Sequence, residues 1–252
     1  MRTNWKIIAA SVPGTAHVRR DVPCQDAFAY RVFDTNAGEI LTVAVADGAG
    51  SAKFAQEGAR IVCDFFISGA AALIEKGGKV SNLNEDFFFG FLRTLPETLK
   101  SENEDLDDYA CTFLAVAASE TEAVFAQIGD GAIVYSDEDE FRLFRVPQQG
   151  EYANTTNFVT DKTASENLQI SHIENRIEEL AIFTDGLQRV AIDFQSKNAH
   201  QPFFRSMFSP LRGSHSAANL EEKLSAFLNS PKINERTDDD KTLILASRPK
   251  NK

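Results

Sequence analysis

Val43-Ala44-Val45-Ala46-Asp47-Gly48-Ala49-Gly50-Ser51 is the stretch that decides how this chain is read. An apolar run, short and β-branched at Val43 and Val45, stops at a carboxylate with two glycines just beyond it. That pattern predicts a buried strand followed by a tight turn. A helix is expected from Lys53. A carboxylate at the end of an apolar strand is costly to desolvate, so Asp47 calls for a partner, hydrogen bonds or a cation.

Taken alone, Asp-Gly is a favoured hairpin tip. The arrangement recurs, however, in Leu180-Ala181-Ile182-Phe183-Thr184-Asp185-Gly186 and, with the order reversed, in Val124-Phe125-Ala126-Gln127-Ile128-Gly129-Asp130-Gly131. Thr237-Asp238-Asp239-Asp240-Lys241-Thr242 sets three acids just before the apolar Leu243-Ile244-Leu245-Ala246. Four acid-tipped strands are more than turn chemistry requires. Asp26, in Pro23-Cys24-Gln25-Asp26-Ala27, is a fifth candidate. Carboxylates alone form an all-oxygen donor set, which suits Mg²⁺ or Mn²⁺ rather than zinc or copper. Gathered without cations they would repel one another.

Composition narrows the classes. The 252 residues are 43% hydrophobic and 25% charged, ordinary globular material, and one domain is expected. The net charge of −11 argues against nucleic acid and anionic membranes as partners, because both are held by cation contacts to phosphate. No window has the unbroken apolar length of a membrane span, and Met1-Arg2-Thr3-Asn4-Trp5-Lys6 lacks the apolar core of a signal peptide, so a cytoplasmic protein is expected. Cys24, Cys63 and Cys111 are odd in number and have no Cys-x-x-Cys spacing, which leaves them as packing residues. His17, His172, His200 and His215 show no metal-binding pair spacing.

Strands are expected over Trp5 to Val12, Ala27 to Phe33 and Ile40 to Ala46, the last two joined across Asp34-Thr35-Asn36-Ala37-Gly38. The following helix carries Ala55, Ala59, Val62, Phe66, Gly69 and Leu73 on one face and ends by Gly77-Gly78. A second helix runs from Glu85 to Leu99, with Pro96 expected to break or kink it. Cys111 to Ala118, Ala123 to Ile128, Ala132 to Tyr135 and Glu140 to Val146 read as a meander of four strands. Pro147 to Glu174 reads as a loop or small flap, with turn chemistry at Gln148-Gln149-Gly150 and Asn154-Thr155-Thr156-Asn157. Beyond the Leu180 strand, helices are expected at Leu187 to Phe194 and Leu220 to Leu228, with an irregular stretch containing Pro202, Pro210 and Gly213 between them. Leu243 to Ser247 is the final strand. Strands in runs and helices in separate runs indicate an α+β layered domain on antiparallel sheets.

In their order, these motifs resemble those of the metal-dependent type 2C protein phosphatases, the PPM family of serine/threonine phosphatases, and more closely its compact bacterial members. Gln25-Asp26 resembles the family's first acidic motif, Asp47-Gly48-Ala49-Gly50 its Asp-Gly-x-Gly, Gly129-Asp130 its Gly-Asp, Thr184-Asp185-Gly186 its Ser-Asp-Gly, and Asp239-Asp240-Lys241-Thr242 its closing Asp-Asn/Asp-x-Ser/Thr. Each is weak alone; five in order, spread over nearly the whole chain, are specific.

The resemblance implies an α+β fold, a four-layer αββα sandwich of two antiparallel sheets flanked by helices. It implies one catalytic domain over residues 1–252, with a reduced flap at about 147–174. The expected reaction is hydrolysis of phosphoserine or phosphothreonine in proteins, opposing a serine/threonine kinase, by direct attack of a water bridging two Mg²⁺ or Mn²⁺ ions roughly 3.5–4 Å apart. Asp47 would bridge both ions, the Gly48 carbonyl would complete one shell, and Asp185 and Asp239 would ligate the other. Asp26 would orient the water, and Asp130 with Asp185 would form a third, weaker site. Asp239 is preferred over Asp240 because it aligns Thr242 with the family's hydroxyl residue.

Two departures from the family pattern matter. Its Gly-Thr-Thr-Ala segment is represented by Ala110-Cys111-Thr112-Phe113, and the position of its phosphate-binding arginine holds Asp21. Arg20 is assigned that role, with Arg19 and His17 as competitors. Against the phosphatase stand a phosphatase-fold regulatory module without useful turnover and a two-metal nuclease. Retention of every carboxylate disfavours the first, and the acidic balance disfavours the second.

Overall fold

Two backbones of five strands each carry the acid tips at their ends. The computed structural model describes residues 5–99, 105–137, 140–148, 156–213 and 218–250. In chain order the elements begin with β1 (Lys6–Val12), α1 (Thr15–Arg20), β2 (Asp26–Thr35), β3 (Gly38–Asp47), α2 (Ala55–Ile74) and α3 (Glu85–Leu99). There follow β4 (Phe113–Ala118), β5 (Ala123–Ile128), β6 (Ala132–Asp137), β7 (Glu140–Leu143), α4 (Ala164–Asn167) and β8 (Gln169–Ile173). The last third holds β9 (Glu179–Phe183), α5 (Gln188–Ala191), the short hairpin β10 (Ile192–Asp193) and β11 (Asn198–Ala199), α6 (Gln201–Gly213), α7 (Ala218–Leu228), α8 (Pro231–Asn234) and β12 (Lys241–Ser247).

The chain divides into two compact units. The first, Met1–Cys24 with Ala132–Val146 and Ile177–Lys252, contains an antiparallel sheet in the order β1-β12-β9-β6-β7. Its core sets Phe204 and Phe208 of α6 against Phe141 and Phe183 of the sheet. The second unit, Gln25–Gly131 with Pro147–Arg176, contains the antiparallel sheet β2-β3-β4-β5-β8. There α2 packs on β2 and β3, and α3 packs on α2. Phe66 is fully buried among Phe88, Phe91 and Phe113, at ring separations of 5.7–6.4 Å.

Local chemistry explains most elements. β3 and β4 are buried on both faces, so they read as unbroken apolar runs rather than alternating ones. In α2 the buried stripe is Ala55, Ala59, Val62, Phe66, Ala70 and Ile74, so its last two turns bury Ala70 and Ile74 where Gly69 and Leu73 were expected. Gly58 has no room for a side chain, because its Cβ would meet the Tyr109 carbonyl.

Four expectations are corrected. Pro96 does not break α3, which continues to Leu99 because Leu92, Leu95 and Leu99 hold its last turns in the core. The four-strand meander stops after β5: the chain leaves that sheet at Gly129-Asp130-Gly131, and β6 and β7 belong to the other one. Residues 201–213 are a helix, not irregular chain. Pro202 falls in the first turn, where its missing N–H is not needed, and Phe204, Phe208 and Leu211 form the buried stripe. The expected helix at Leu187 to Phe194 is only one turn of α5 before the β10–β11 hairpin. Within the flap region β8 pairs with β5, while the expected turns at 149–150 and 154–155 lie outside the described residues.

Candidate active site

All five acids sit where the sequence puts them, at strand ends. In the second unit Asp26 opens β2 and Asp47 closes β3, and the two are register partners. The Gly48 N–H donates to the Gln25 carbonyl at 3.2 Å, which makes 25 and 48 the hydrogen-bonded pair and Asp26 and Asp47 the narrow one. Opposed residues in such a pair lie about 4.5 Å apart at Cα, with side chains on one face. Asp26 is buried.

Thr112 fixes Asp47 from the far side: its hydroxyl accepts from the Asp47 N–H at 2.9 Å and its own N–H donates to the Asp47 carbonyl at 2.8 Å. Gly48 bridges to Cys111, and a side chain there would collide with Ala55 at the start of α2. The departure Ala110-Cys111-Thr112-Phe113 therefore keeps a hydroxyl that positions Asp47.

Asp130 hangs on a turn shaped by amides. Gly129 has φ +100° and no space for a side chain against Thr112, so only glycine serves there. The buried Gln127 donates through Nε2 to the carbonyls of Gly129 and Gly131, both at 3.2 Å, and Gln148 Oε1 accepts from the Gly129 N–H at 2.7 Å. From sequence, Gln148 reads only as turn chemistry and Gln127 is given no role, although a glutamine inside an apolar strand is a visible signal.

In the first unit Asp185 follows β9 and opens a single 3₁₀ turn, Asp185–Leu187. Thr184 and Thr242 lock the two strand ends: the Thr242 N–H donates to Thr184 Oγ1 at 3.0 Å and the Thr184 N–H to the Thr242 carbonyl at 3.3 Å. Gly186 packs on the Asp240 carbonyl.

Asp239 and Asp240 differ. Asp239 is exposed, and its backbone carbonyl accepts from the buried Lys241 Nζ at 3.2 Å. Asp240 is buried, and its oxygens take the Gly14 N–H at 2.7 Å and His17 Nδ1 at 2.9 Å. Asp240 is thus committed to the start of α1. Arg20 ends that helix, exposed, its Nε donating to the Ala16 carbonyl at 3.2 Å. Arg19 lies 3.6 Å from Asp238, both exposed. Asp21 caps the helix in the left-handed region, at φ 56°.

Among the described residues no three or more His, Cys, Asp or Glu side chains gather closely enough to hold an ion. The metal fit therefore rests on donor type and on the Asp26–Asp47 pair: two carboxylates directly opposed repel, and an oxygen-seeking divalent cation relieves that repulsion.

Comparison with known proteins identifies the family. A sequence profile described as Protein phosphatase 2C matches residues 13–229, a span that includes parts of both units. The chain belongs to that family, and it is a serine/threonine protein phosphatase with the family's fold, two antiparallel five-stranded sheets and their helices. It is 37% identical over 250 residues to serine/threonine-protein phosphatase 3 of Escherichia coli (strain K12), covering 96% of this chain and 98% of that one. Among solved structures it resembles serine/threonine phosphatase Stp1 from Staphylococcus aureus, with a TM-score of 0.63, 14% identity, and 99% and 96% of the two chains covered. It also resembles RsbX, whose structure was solved in complex with magnesium, with a TM-score of 0.59, 16% identity, and 97% and 96% covered.

Proposed function

We propose that this phosphatase hydrolyses phosphoserine and phosphothreonine in cytoplasmic proteins, opposing a serine/threonine kinase, with Mg²⁺ or Mn²⁺ held by Asp47, the Gly48 carbonyl, Asp185 and Asp239. Two ions bind tightly and a third binds more weakly at Asp130 with Asp185. The observation that carries this reading is the narrow cross-strand pairing of Asp26 with Asp47, a like-charge arrangement that a divalent cation stabilises. When bound, the ions supply an activated water and neutralise phosphoryl charge.

The chain's own residues do the rest. Asp26, buried opposite Asp47, accepts a hydrogen bond from water at the strand end and so orients it. Arg20, on α1, offers forked N–H groups to the phosphoryl oxygens that face away from the carboxylates. Asp239 is favoured over Asp240 as a ligand because both Asp240 oxygens are already engaged. The catalytic domain is single, and the segment at 147–174 is a reduced flap.

The test is hydrolysis of a phosphothreonine peptide and of p-nitrophenyl phosphate with and without Mn²⁺, using Asp47→Asn as control. Activity independent of metal, or retained in Asp47→Asn, overturns the assignment. Melting curves in Mn²⁺ against NaCl of equal ionic strength separate the regulatory-module reading, which gives metal stabilisation without turnover.

A further inference from the structure

At the end of the first unit's sheet away from Asp185 and Asp239, a cavity of about 520 Å³ is lined by side chains of β1, β9, β12 and α6. Glu179 begins β9 and Ser247 ends β12, and the two are register partners, whereas the candidate catalytic acids lie beyond the opposite ends of the same strands. The extended chain from Glu179 to Asp185 spans on the order of 20 Å, so this cavity is separate from those acids.

Its lining is cationic. Lys6, Arg205, Arg212, Arg248 and Lys250 face two carboxylates, Glu178 and Glu179, so five against two leaves three positive charges in excess. The whole chain carries −11. A concave, positively lined site in an acidic protein concentrates anions from solution.

The walls are already held in place. Arg212 forks onto Glu179, with Nε to Oε1 and Nη2 to Oε2 both at 2.6 Å. Lys6 Nζ donates to the Arg212 carbonyl at 2.8 Å. Arg248 is 3% exposed; its Nε donates to the Ile177 carbonyl at 2.7 Å and its guanidinium lies 4.4 Å over the Trp5 ring. Groups fixed before a ligand arrives lose little freedom on binding it.

We propose that this cavity binds a small organic phosphate at a site distinct from the one that performs hydrolysis. Guanidinium and ammonium groups together match a phosphate dianion through charge-assisted hydrogen bonds, and the volume is that of a small-molecule site.

The experiment is calorimetric titration of inorganic phosphate and of adenosine monophosphate into the full chain in EDTA, as wild type, as Asp47→Asn and as the double variant Arg205→Glu/Lys250→Glu. Arg205 is exposed and the Lys250 side chain is 62% exposed, its ammonium 3.9 Å from Glu178, so the two charge reversals leave the core untouched, and the variant's own melting curve checks its fold. Binding is expected to persist in Asp47→Asn, with adenosine monophosphate the tighter probe, and to weaken about tenfold or more in the double variant. The double variant's kcat/KM toward p-nitrophenyl phosphate is expected to match wild type. Unchanged affinity in the double variant, or no binding by Asp47→Asn, overturns the site. Adenosine monophosphate binding no tighter than inorganic phosphate overturns its assignment to an organic phosphate. As a second readout, phosphate should raise the Tm of Asp47→Asn and not that of the double variant.

Discussion

His17 Nδ1 and Asp240 Oδ2 lie 2.9 Å apart, both side chains buried, and this contact ties α1 to the loop that carries Asp239. The Gly14 N–H to Asp240 Oδ1 and the Ala16 N–H to the Asp238 carbonyl, at 2.7 and 2.9 Å, complete the clamp. Removing one partner leaves buried polar groups unsatisfied, which costs about 1–3 kcal/mol. Asp240→Ala should therefore lower the Tm by about 3–10 °C, and Asp240→Asn, which keeps an acceptor, by less. A Tm unchanged in Asp240→Ala would show that the clamp carries no stability.

Asp47→Ala and Asp185→Ala should each reduce turnover to background in a folded protein. Stability adds a readout independent of activity. In EDTA, Asp47→Asn should melt higher than wild type, because it removes like-charge repulsion with Asp26. In Mn²⁺ it should melt lower, having lost the ion's stabilisation. The same order of Tm values in both buffers would refute the metal-bridging role.

Asp130→Ala should lower kcat while the two tight ions still bind, since Asp130 is assigned only to the weaker site. Gln127 shapes that turn through both flanking carbonyls, so Gln127→Leu should show a milder form of the same defect. Calorimetry in Mn²⁺ decides: loss of a tight site in Asp130→Ala contradicts the assignment.

The thiols of Cys63 and Cys111 should be inert in the native protein. Burial pushes both up; Cys111, Asp64 and Asp26 add to the effect at Cys63, and Asp47 adds to it at Cys111. Cys24 is only partly buried. A thiol reagent at pH 8 should label Cys24 alone. The native state keeps both buried thiols protonated, whereas unfolded cysteine ionises near a pKa of about 8.5. Their contribution to stability is thus whole below that pH and is lost as pH rises above it. The fall in Tm between pH 8 and 10 should shrink in Cys63→Ala, and rapid labelling of all three thiols would contradict the burial.

The acid tips were legible because β3, β5, β9 and β12 are apolar runs, each with an aspartate at or just beyond one end. Element ends within a residue or two followed wherever apolar spacing was clean, as in α3. Three kinds of feature were not legible. The switch between sheets at Gly129-Asp130-Gly131 is a tertiary choice, and strand pattern alone reads as a continued meander. α6 was hidden by prolines that its first and last turns tolerate. β8 has no apolar alternation, since as an edge strand it is nowhere fully buried. At the site, the hydrogen bonds of His17 and Thr112 join residues far apart in sequence, so spacing could not reveal them; those of Gln127 are local, to Gly129 and Gly131.

The last prediction separates three residues. His17 is held by Asp240, Arg19 leans toward Asp238, and Arg20 makes no ion pair among the described residues, its Nε resting on its own helix. Asp21, at the position of the family's arginine, takes the left-handed conformation that ends α1 at Arg20, so the cation at the helix end stands one residue earlier than the family pattern. Arginine's planar fork suits a phosphomonoester dianion. Arg20→Ala should raise KM for a phosphopeptide and lower kcat/KM by the loss of one charge-assisted pair, about 1.5–3 kcal/mol, with Mn²⁺ affinity unchanged. Arg20→Lys should recover part of the loss, because it restores the charge without the fork. Arg19→Ala should be mild, since its exposed pairing contributes little. Wild-type kinetics in Arg20→Ala, or a larger defect in Arg19→Ala, would move the phosphate contact to another residue.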